Sequence, residues 1–270
     1  SDQLKEAHHV EMLNPLGKEL SVLRQSMLFS GLEAIAYNVN RRKTNVKLFE
    51  FGKTYHTFTS GHTENKHLSL FMTGDKTEES WTTQNIRTNF FYMGGMVNAV
   101  LEKLGISSLK PSEVKNDVFT EAIGLSQGKQ QLVSYGKVQK SILKKFDIAQ
   151  DVYYADFNWD VILEIAARNN VKFKEIPKYP SVRRDFALLL DKKIQFQEIA
   201  NIARQTEKRL LKEVNLFDVY EGKNLPEGTK SYAVSFLLQD EKSTLTDKQI
   251  DKTMQKLQQR FEKELGASLR

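Results

Sequence analysis

The residues best suited to chemistry in this chain sit at alternating positions in three stretches near its end. These stretches are 183–191, 214–222 and 230–238, and each alternates apolar with small or polar residues. Side chains along a strand point to opposite faces with period two. Phe186, Leu188 and Leu190 then share one face, with Phe217 and Val219, and with Tyr232, Val234, Phe236 and Leu238. The opposite parity holds Ala187, Asp218, Tyr220, Ser231, Ala233 and Ser235. One face is expected to be core. The other is expected to be open, offering one aromatic ring, a carboxylate and hydroxyls. Such a face, with basic residues at its edge, is one way to hold single-stranded RNA. The same pattern suits a regulatory domain whose open face meets a protein. A single tyrosine such as Tyr220 is also an ordinary surface residue.

Other reactive sets are weaker. His56, His62 and His67 lie near Glu64, a spacing open to metal or acid–base use, although solvated loop histidines are commoner. His8 and His9 are adjacent, and neighbours in a helix do not face each other. There is no cysteine, which excludes disulfides, thiolate metal sites and cysteine nucleophiles. Walker A and dinucleotide fingerprints are missing. No nucleophile–base–orienter set stands out.

Helices must position the three strands. Phe196, Ile199, Ala203 and Leu210 form one apolar stripe, and Ile250, Met254, Leu257, Phe261 and Leu265 form a second. Thr246 and Gln249 predict a capping box, Leu245 and Ile250 a hydrophobic staple, and Gly266 a helix end. With a last short strand at 267–270, the order is βαββαβ, the ferredoxin-like pattern. Its two helices cover one sheet face. Upstream, 1–13 suggests a polar helix. Ser30-Gly31-Leu32-Glu33 suggests another capping box, before an apolar face of Leu32, Ile35, Ala36 and Val39, with Arg41, Arg42 and Lys43 in the last turn. This helix suits either its own sheet or a subunit interface. Strands are expected at 46–51, 67–73, 122–125, 131–137 and 152–158, and helices at about 85–104 and 159–167. Gly94-Gly95 falls inside the first of these helices, where close packing explains it better than phosphate binding. Residues 169–181, with Pro177 and Pro180, suggest a linker. The fold class is α+β: a mixed domain on an antiparallel sheet, then a ferredoxin-like domain.

The net charge of +6 is unevenly spread. Residues 171–270 hold 20 of the 40 Lys and Arg but 15 of the 34 Asp and Glu. That excess favours phosphate partners, though many basic domains bind no nucleic acid. No apolar run of about eighteen residues suggests a membrane span, and the first residues do not form a signal peptide.

The segments 179–187 (Tyr-Pro-Ser-Val-Arg-Arg-Asp-Phe-Ala), 216–222 (Leu-Phe-Asp-Val-Tyr-Glu-Gly), 230–233 (Lys-Ser-Tyr-Ala) and 244–247 (Thr-Leu-Thr-Asp) carry a resemblance. Together they resemble the C-terminal anticodon-binding domain of the bacterial phenylalanine–tRNA ligase beta subunit. The segments 14–16 (Asn-Pro-Leu), 23–26 (Leu-Arg-Gln-Ser), 40–42 (Asn-Arg-Arg) and 48–52 (Leu-Phe-Glu-Phe-Gly) resemble the catalytic-like module that precedes it. The resemblance implies a class II synthetase-like, non-catalytic module over 1–172 and an anticodon-binding domain over 178–270. It implies that Ala187, Asp218, Tyr220 and Ser231 line the site for the first anticodon base. Tyr220 would stack, Asp218 and Ser231 would hydrogen-bond base edges, and Ala187 would leave room. Arg183 and Arg184 would meet phosphates, or one would pair with Asp185 or Asp218.

The resemblance further implies that 21–42, through Leu28, Leu32, Ile35 and Val39, joins a catalytic alpha subunit in a heterotetramer of two alpha and two beta chains. The partners are then tRNA(Phe) and the alpha subunit, in the cytoplasm and without a membrane. ATP and Mg2+ would be used by the complete ligase, and no cofactor is expected in this part. The family's tRNA-binding and editing domains are not recognisable, so the chain resembles the C-terminal part of a longer subunit. A working class II site needs an Arg-x-Glu motif in a strand and a Gly-rich motif ending in Arg. Arg260-Phe261-Glu262 is the only Arg-x-Glu, within the last expected helix, so no catalytic site is expected.

Overall fold

The computed structural model describes residues 4–17, 21–77, 80–107, 109–169, 175–222 and 224–270. The expected linker therefore lies partly outside the described residues. Two compact units divide the chain, Ser1–Lys172 and Phe173–Arg270.

The first unit is a six-stranded antiparallel sheet. Its elements run α1 (Leu28–Val39), β1 (Val46–Phe58), β2 (Gly61–Thr73), α2 (Phe90–Lys103), β3 (Lys110–Glu113), β4 (Phe119–Gln127), β5 (Gln130–Val138), α3 (Lys140–Leu143), β6 (Val152–Asn158) and α4 (Trp159–Arg168). The strand order is β1-β2-β6-β5-β4-β3. Alternation along β2 divides the core. Leu68, Leu70 and Met72 face α2 and α4, together with Leu125, Val133, Ala155 and Phe157. Phe71 faces α1, together with Val46, Ala122, Val138, Val152 and Tyr154. One sheet thus buries a helical layer on each face.

Several elements differ from expectation. Strands β1 and β2 extend to thirteen residues each and close at Gly61, whose φ is +118°. Their far half is polar, and the backbone ladder rather than an apolar stripe holds it, from Thr54↔Asn65 to Phe58↔Gly61. The edge strand β3 carries no apolar alternation and is absent from the expected strands. Of the expected helix over 1–13, residues 1–3 lie outside the described residues, and among the described ones only the turn Glu6–His8 is helical. Helix α2 starts at Phe90 rather than near 85, because Asn89 Oδ1 accepts from the Tyr92 N–H at 2.9 Å. Ser30 lies inside α1 and donates to the Met27 carbonyl, while Ser26 Oγ accepts from the Leu28 N–H. The helix therefore begins earlier than a Ser30–Glu33 capping box would place it.

The second unit holds β7 (Val182–Asp191), α5 (Phe196–Thr206), β8 (Leu211–Tyr220), β9 (Thr229–Leu238), α6 (Asp247–Leu265) and β10 (Ser268–Leu269). The order β10-β7-β9-β8 is the ferredoxin-like βαββαβ arrangement. Thr246 caps α6, its N–H donating to Gln249 Oε1 at 3.0 Å. Gly266, at φ +61°, ends it. Ile199, Ala203, Ile250, Leu257 and Phe261 pack onto Leu188, Val234 and Phe236. Phe236 centres the core, with ring contacts to Phe186 at 5.5 Å and Phe261 at 5.9 Å. Among the described residues, the opposite sheet face carries no helix of this unit.

Helix α1 approaches its sheet through a glycine. A Cβ on Gly31 would lie 2.0 Å from the Phe71 ring, which is fully buried. Gly31→Ala should therefore cost about 1–3 kcal/mol by overpacking. Urea unfolding of this variant checks it, and an unchanged midpoint would show that the helix can slide away from Phe71.

Candidate nucleic-acid interface

Cross-strand register sets the open face in rows. Ala187 stands opposite Ala233, and Ala233 opposite Asp218. Leu189 stands opposite Ser231, and Ser231 opposite Tyr220. Asp185 stands opposite Ser235, and Ser235 opposite Asn215. Directly opposed residues of an antiparallel pair share a face. Ala187, Asp218, Tyr220 and Ser231 therefore come together on neighbouring rows of the helix-free face. Ala187 and Ala233 form a low floor between the taller residues.

Strand β8 carries a bulge that alternation does not reveal. Leu216 pairs with Val234 but Asp218 with Ala233, so Phe217 is the extra residue. Alternation alone puts Phe217 on the core face. The bulge instead leaves it half exposed, with the Arg183 guanidinium 4.9 Å from its ring centroid. Val219 keeps the core-side register opposite Tyr232 but, on the edge strand, is also half exposed. Phe217 is thus a second ring on the Arg183 side that sequence reasoning missed.

The two expected arginines do not act alike. Arg183 Nε donates to Asp185 Oδ1 at 2.9 Å, and Nη2 donates to Oδ2 at 3.3 Å. This hydrogen bonding raises the Arg183 pKa above its ordinary value. Arg184 has the other parity, opposite Phe236, and donates to the Arg183 carbonyl at 3.1 Å. It does not share the face of Ala187.

Among the described residues, neither the Asp218 carboxylate nor the Ser231 hydroxyl has a side-chain partner. Their hydrogen-bonding capacity remains available to a ligand. Ser231 is nonetheless only 7% exposed, between the rows' larger neighbours. The phenol end of Tyr220 lies on the chain at Gly222, where a Cβ would come within 2.1 Å of Cζ and Oη. The Arg270 guanidinium lies over the same ring, 5.4 Å from its centroid.

Residues 1–159 match the phenylalanyl tRNA synthetase beta chain CLM domain, and residues 177–270 match the ferredoxin-fold anticodon binding domain. The chain is 46% identical over 97% of its length to the phenylalanine–tRNA ligase beta subunit of Bacteroides fragilis. It is 40% identical over 97% to that of Porphyromonas gingivalis, and 30% identical over 100% to that of Syntrophotalea carbinolica. The chain belongs to the phenylalanine–tRNA ligase beta-subunit family. It spans about a third of the length of these relatives, 33% for the first two and 34% for the third.

In this family member the expected interface residues of α1 face inward. Leu28, Leu32 and Ile35 are buried to within 1% in the unit's own core, and Val39 packs partly against it. Of the two readings left open for this helix, the burial fits its own sheet, where Phe71, Val46 and Tyr154 cover the apolar stripe. The outward positions are Phe29, Glu33 and Tyr37, at i, i+4 and i+8. Phe29 stacks on Phe146 with centroids 6.2 Å apart, and the Arg41 guanidinium covers Tyr37 at 3.4 Å.

The family motif around 23–26 and 48–52 has a structural use. Arg24 donates to Glu50 Oε1 at 2.8 Å and to the Lys53 carbonyl at 3.0 Å. It crosses Gly52, where a Cβ would lie 2.2 Å from its guanidinium.

The histidines separate along the β1–β2 hairpin. His67 bonds Asp156 at 2.8 Å and Thr54 at 2.9 Å, and His62 bonds Thr57 at 2.8 Å. Burial, then the nearby His8 and His67, lowers the pKa of His56. Among the described residues no group of three His, Asp or Glu is arranged to hold a metal ion. Arg260-Phe261-Glu262 lies in α6, with Phe261 in the core. Gly94 packs against Tyr135, where a Cβ would lie 3.1 Å from the phenol oxygen, whereas a Cβ on Gly95 would meet nothing. No described helix is long and apolar enough to cross a membrane.

Gly222 has to stay without a side chain for Tyr220 to lie as it does. Gly222→Ala should displace the ring and break its contact with Arg270. The site is exposed, so stability should change by less than about 0.5 kcal/mol. A crystal structure or ring proton shifts of Tyr220 would check this, and an unmoved ring would refute the packing described.

Proposed function

We propose that this chain is the anticodon-reading and assembly part of a phenylalanine–tRNA ligase beta subunit. Its helix-free sheet face takes the anticodon loop of tRNA(Phe). The observation that carries the proposal is the convergence of Ala187, Asp218, Tyr220 and Ser231 on adjoining rows of that face. Tyr220 stacks on the first anticodon base, Asp218 and Ser231 accept from or donate to its edge, and the alanine floor gives the base room. Unpaired loop bases suit this chemistry because their faces and Watson–Crick edges are free. Arg183, held by Asp185, gives a positively charged rim for phosphate. Arg184 is on the other parity and would contribute only at the edge.

Assembly with the catalytic alpha subunit, in a complex of two alpha and two beta chains, is proposed for the unit that contains α1. The exposed stripe of Phe29, Glu33 and Tyr37 fits this role better than the buried Leu28, Leu32 and Ile35. The complete ligase would consume ATP with Mg2+ to make phenylalanyl-tRNA in the cytoplasm. No catalytic step is assigned to this chain, whose part is to bind and orient. The proposed boundaries are a catalytic-like module over 1–172 and an anticodon-binding domain over 178–270.

The test is binding to a tRNA(Phe) anticodon stem-loop beside one with its first anticodon base changed. The native loop should bind more tightly, and Tyr220→Ala should cost about 1–3 kcal/mol. The logarithm of affinity should fall linearly with the logarithm of salt concentration. Equal binding of both loops would leave only a general basic surface. No binding at low salt would favour a face that meets a protein.

A further inference from the structure

Arg270 is placed to complete the base site. Strand β10 pairs with β7 at Ser268↔Leu189 and Leu269↔Leu188. The Arg270 N–H continues this pairing by donating to the Ala187 carbonyl at 2.9 Å. Arg270 therefore joins the row of Ala187, Ala233 and Asp218. Its side chain has the parity of the helix-free face.

The contact between Arg270 and Tyr220 has a geometric consequence. They stand on the two edge strands, three strand spacings apart, or about 14 Å. A guanidinium over the Tyr220 ring requires both side chains to lie inward across the sheet. Only a floor as low as Ala187 and Ala233 leaves space for that. The two side chains thus roof the spot where a base would lie. The low exposure of Ser231 agrees with a covered floor.

Charge points the same way. Arg183 is already paired with Asp185. Arg270, among the described residues, has no carboxylate partner, and neither has Asp218 in its row a basic one. An unpaired guanidinium and an unpaired carboxylate therefore flank one small platform. A planar guanidinium stacks on aromatic faces and also donates in a fixed fork.

We propose that Arg270 is a base-specificity residue: its guanidinium occupies the Tyr220 ring in the free protein, and on binding closes over an unpaired base held between the two. The guanidinium keeps the ring in place and the floor covered until a planar group enters. It then supplies the second face of the stack and donors beside the Asp218 acceptor. This inference rests on the reading that the face takes unpaired bases.

The experiment measures Arg270→Ala and Arg270→Lys in the 270-residue chain against the native stem-loop and the loop with its first anticodon base changed. Both variants keep the backbone bond to Ala187, and their melting temperatures should match the parent. Arg270→Ala should weaken native-loop binding roughly five- to thirtyfold, the order expected for one stacking partner. Arg270→Lys should recover the salt dependence but not the preference for the native base. If both variants discriminate as the parent does, Arg270 is not a base-specificity residue. If Arg270→Lys restores affinity and preference together, Arg270 is only a phosphate contact and the proposal fails. If the parent itself does not discriminate, the anticodon reading falls, and this proposal with it.

Discussion

Everything on the candidate surface depends on one packing constraint. Both helices of the second unit lie on the same sheet face, because Leu188, Val234 and Phe236 draw α5 and α6 to one side. The other face must then be finished without a helical layer. At its centre Ala187 and Ala233 are small, and Tyr220 and Arg270 reach over them from the two edge strands. A flat, shallow, hydrogen-bonding surface is what remains. Larger residues at 187 or 233 would leave the helix-packed core intact but prevent Arg270 and Tyr220 from meeting across it.

Local backbone features then adjust this surface. The bulge at Phe217 shifts the register by one residue, which keeps Asp218 and Tyr220 on the helix-free face while freeing a ring beside Arg183. Gly222 lets the chain pass under the phenol of Tyr220. The capped start and left-handed end of α6 set where β10 begins, and hence where Arg270 falls in the row. Local sequence, register and site chemistry are in this way one chain of causes. In the first unit a comparable constraint acts through Gly31 and Gly52, where close approach seats α1 and Arg24 on the sheet.

Much of this was legible in the sequence because period-two and helical spacing report burial directly. The strands holding Ala187 and Ser231, the stripe from Ile250 to Phe261 and the stop at Gly266 all follow from such patterns. Phe217 was not legible, since a bulge breaks alternation without a residue type that announces it. Leu32, Ile35 and Val39 were legible as an apolar face, but the sequence left open whether this chain's own sheet or another subunit covers it. An apolar stripe says that something covers it, and only the structure shows that Phe71 and Tyr154 do. The polar far half of the β1–β2 hairpin escaped because backbone pairing and polar cross-strand contacts, rather than an apolar stripe, sustain it. Arg270 escaped because its neighbours on the face come from three other strands.

The central claim is that the helix-free face, and not the helical side or the first unit, meets the anticodon loop. The most direct measurement is an amide and side-chain chemical-shift map of the protein titrated with the tRNA(Phe) anticodon stem-loop. The account predicts perturbations concentrated at Ala187, Asp218, Tyr220, Ser231 and Ala233, with α5 and α6 largely unmoved. Perturbations centred on the exposed side of α5 and α6, or confined to the first unit, would contradict it.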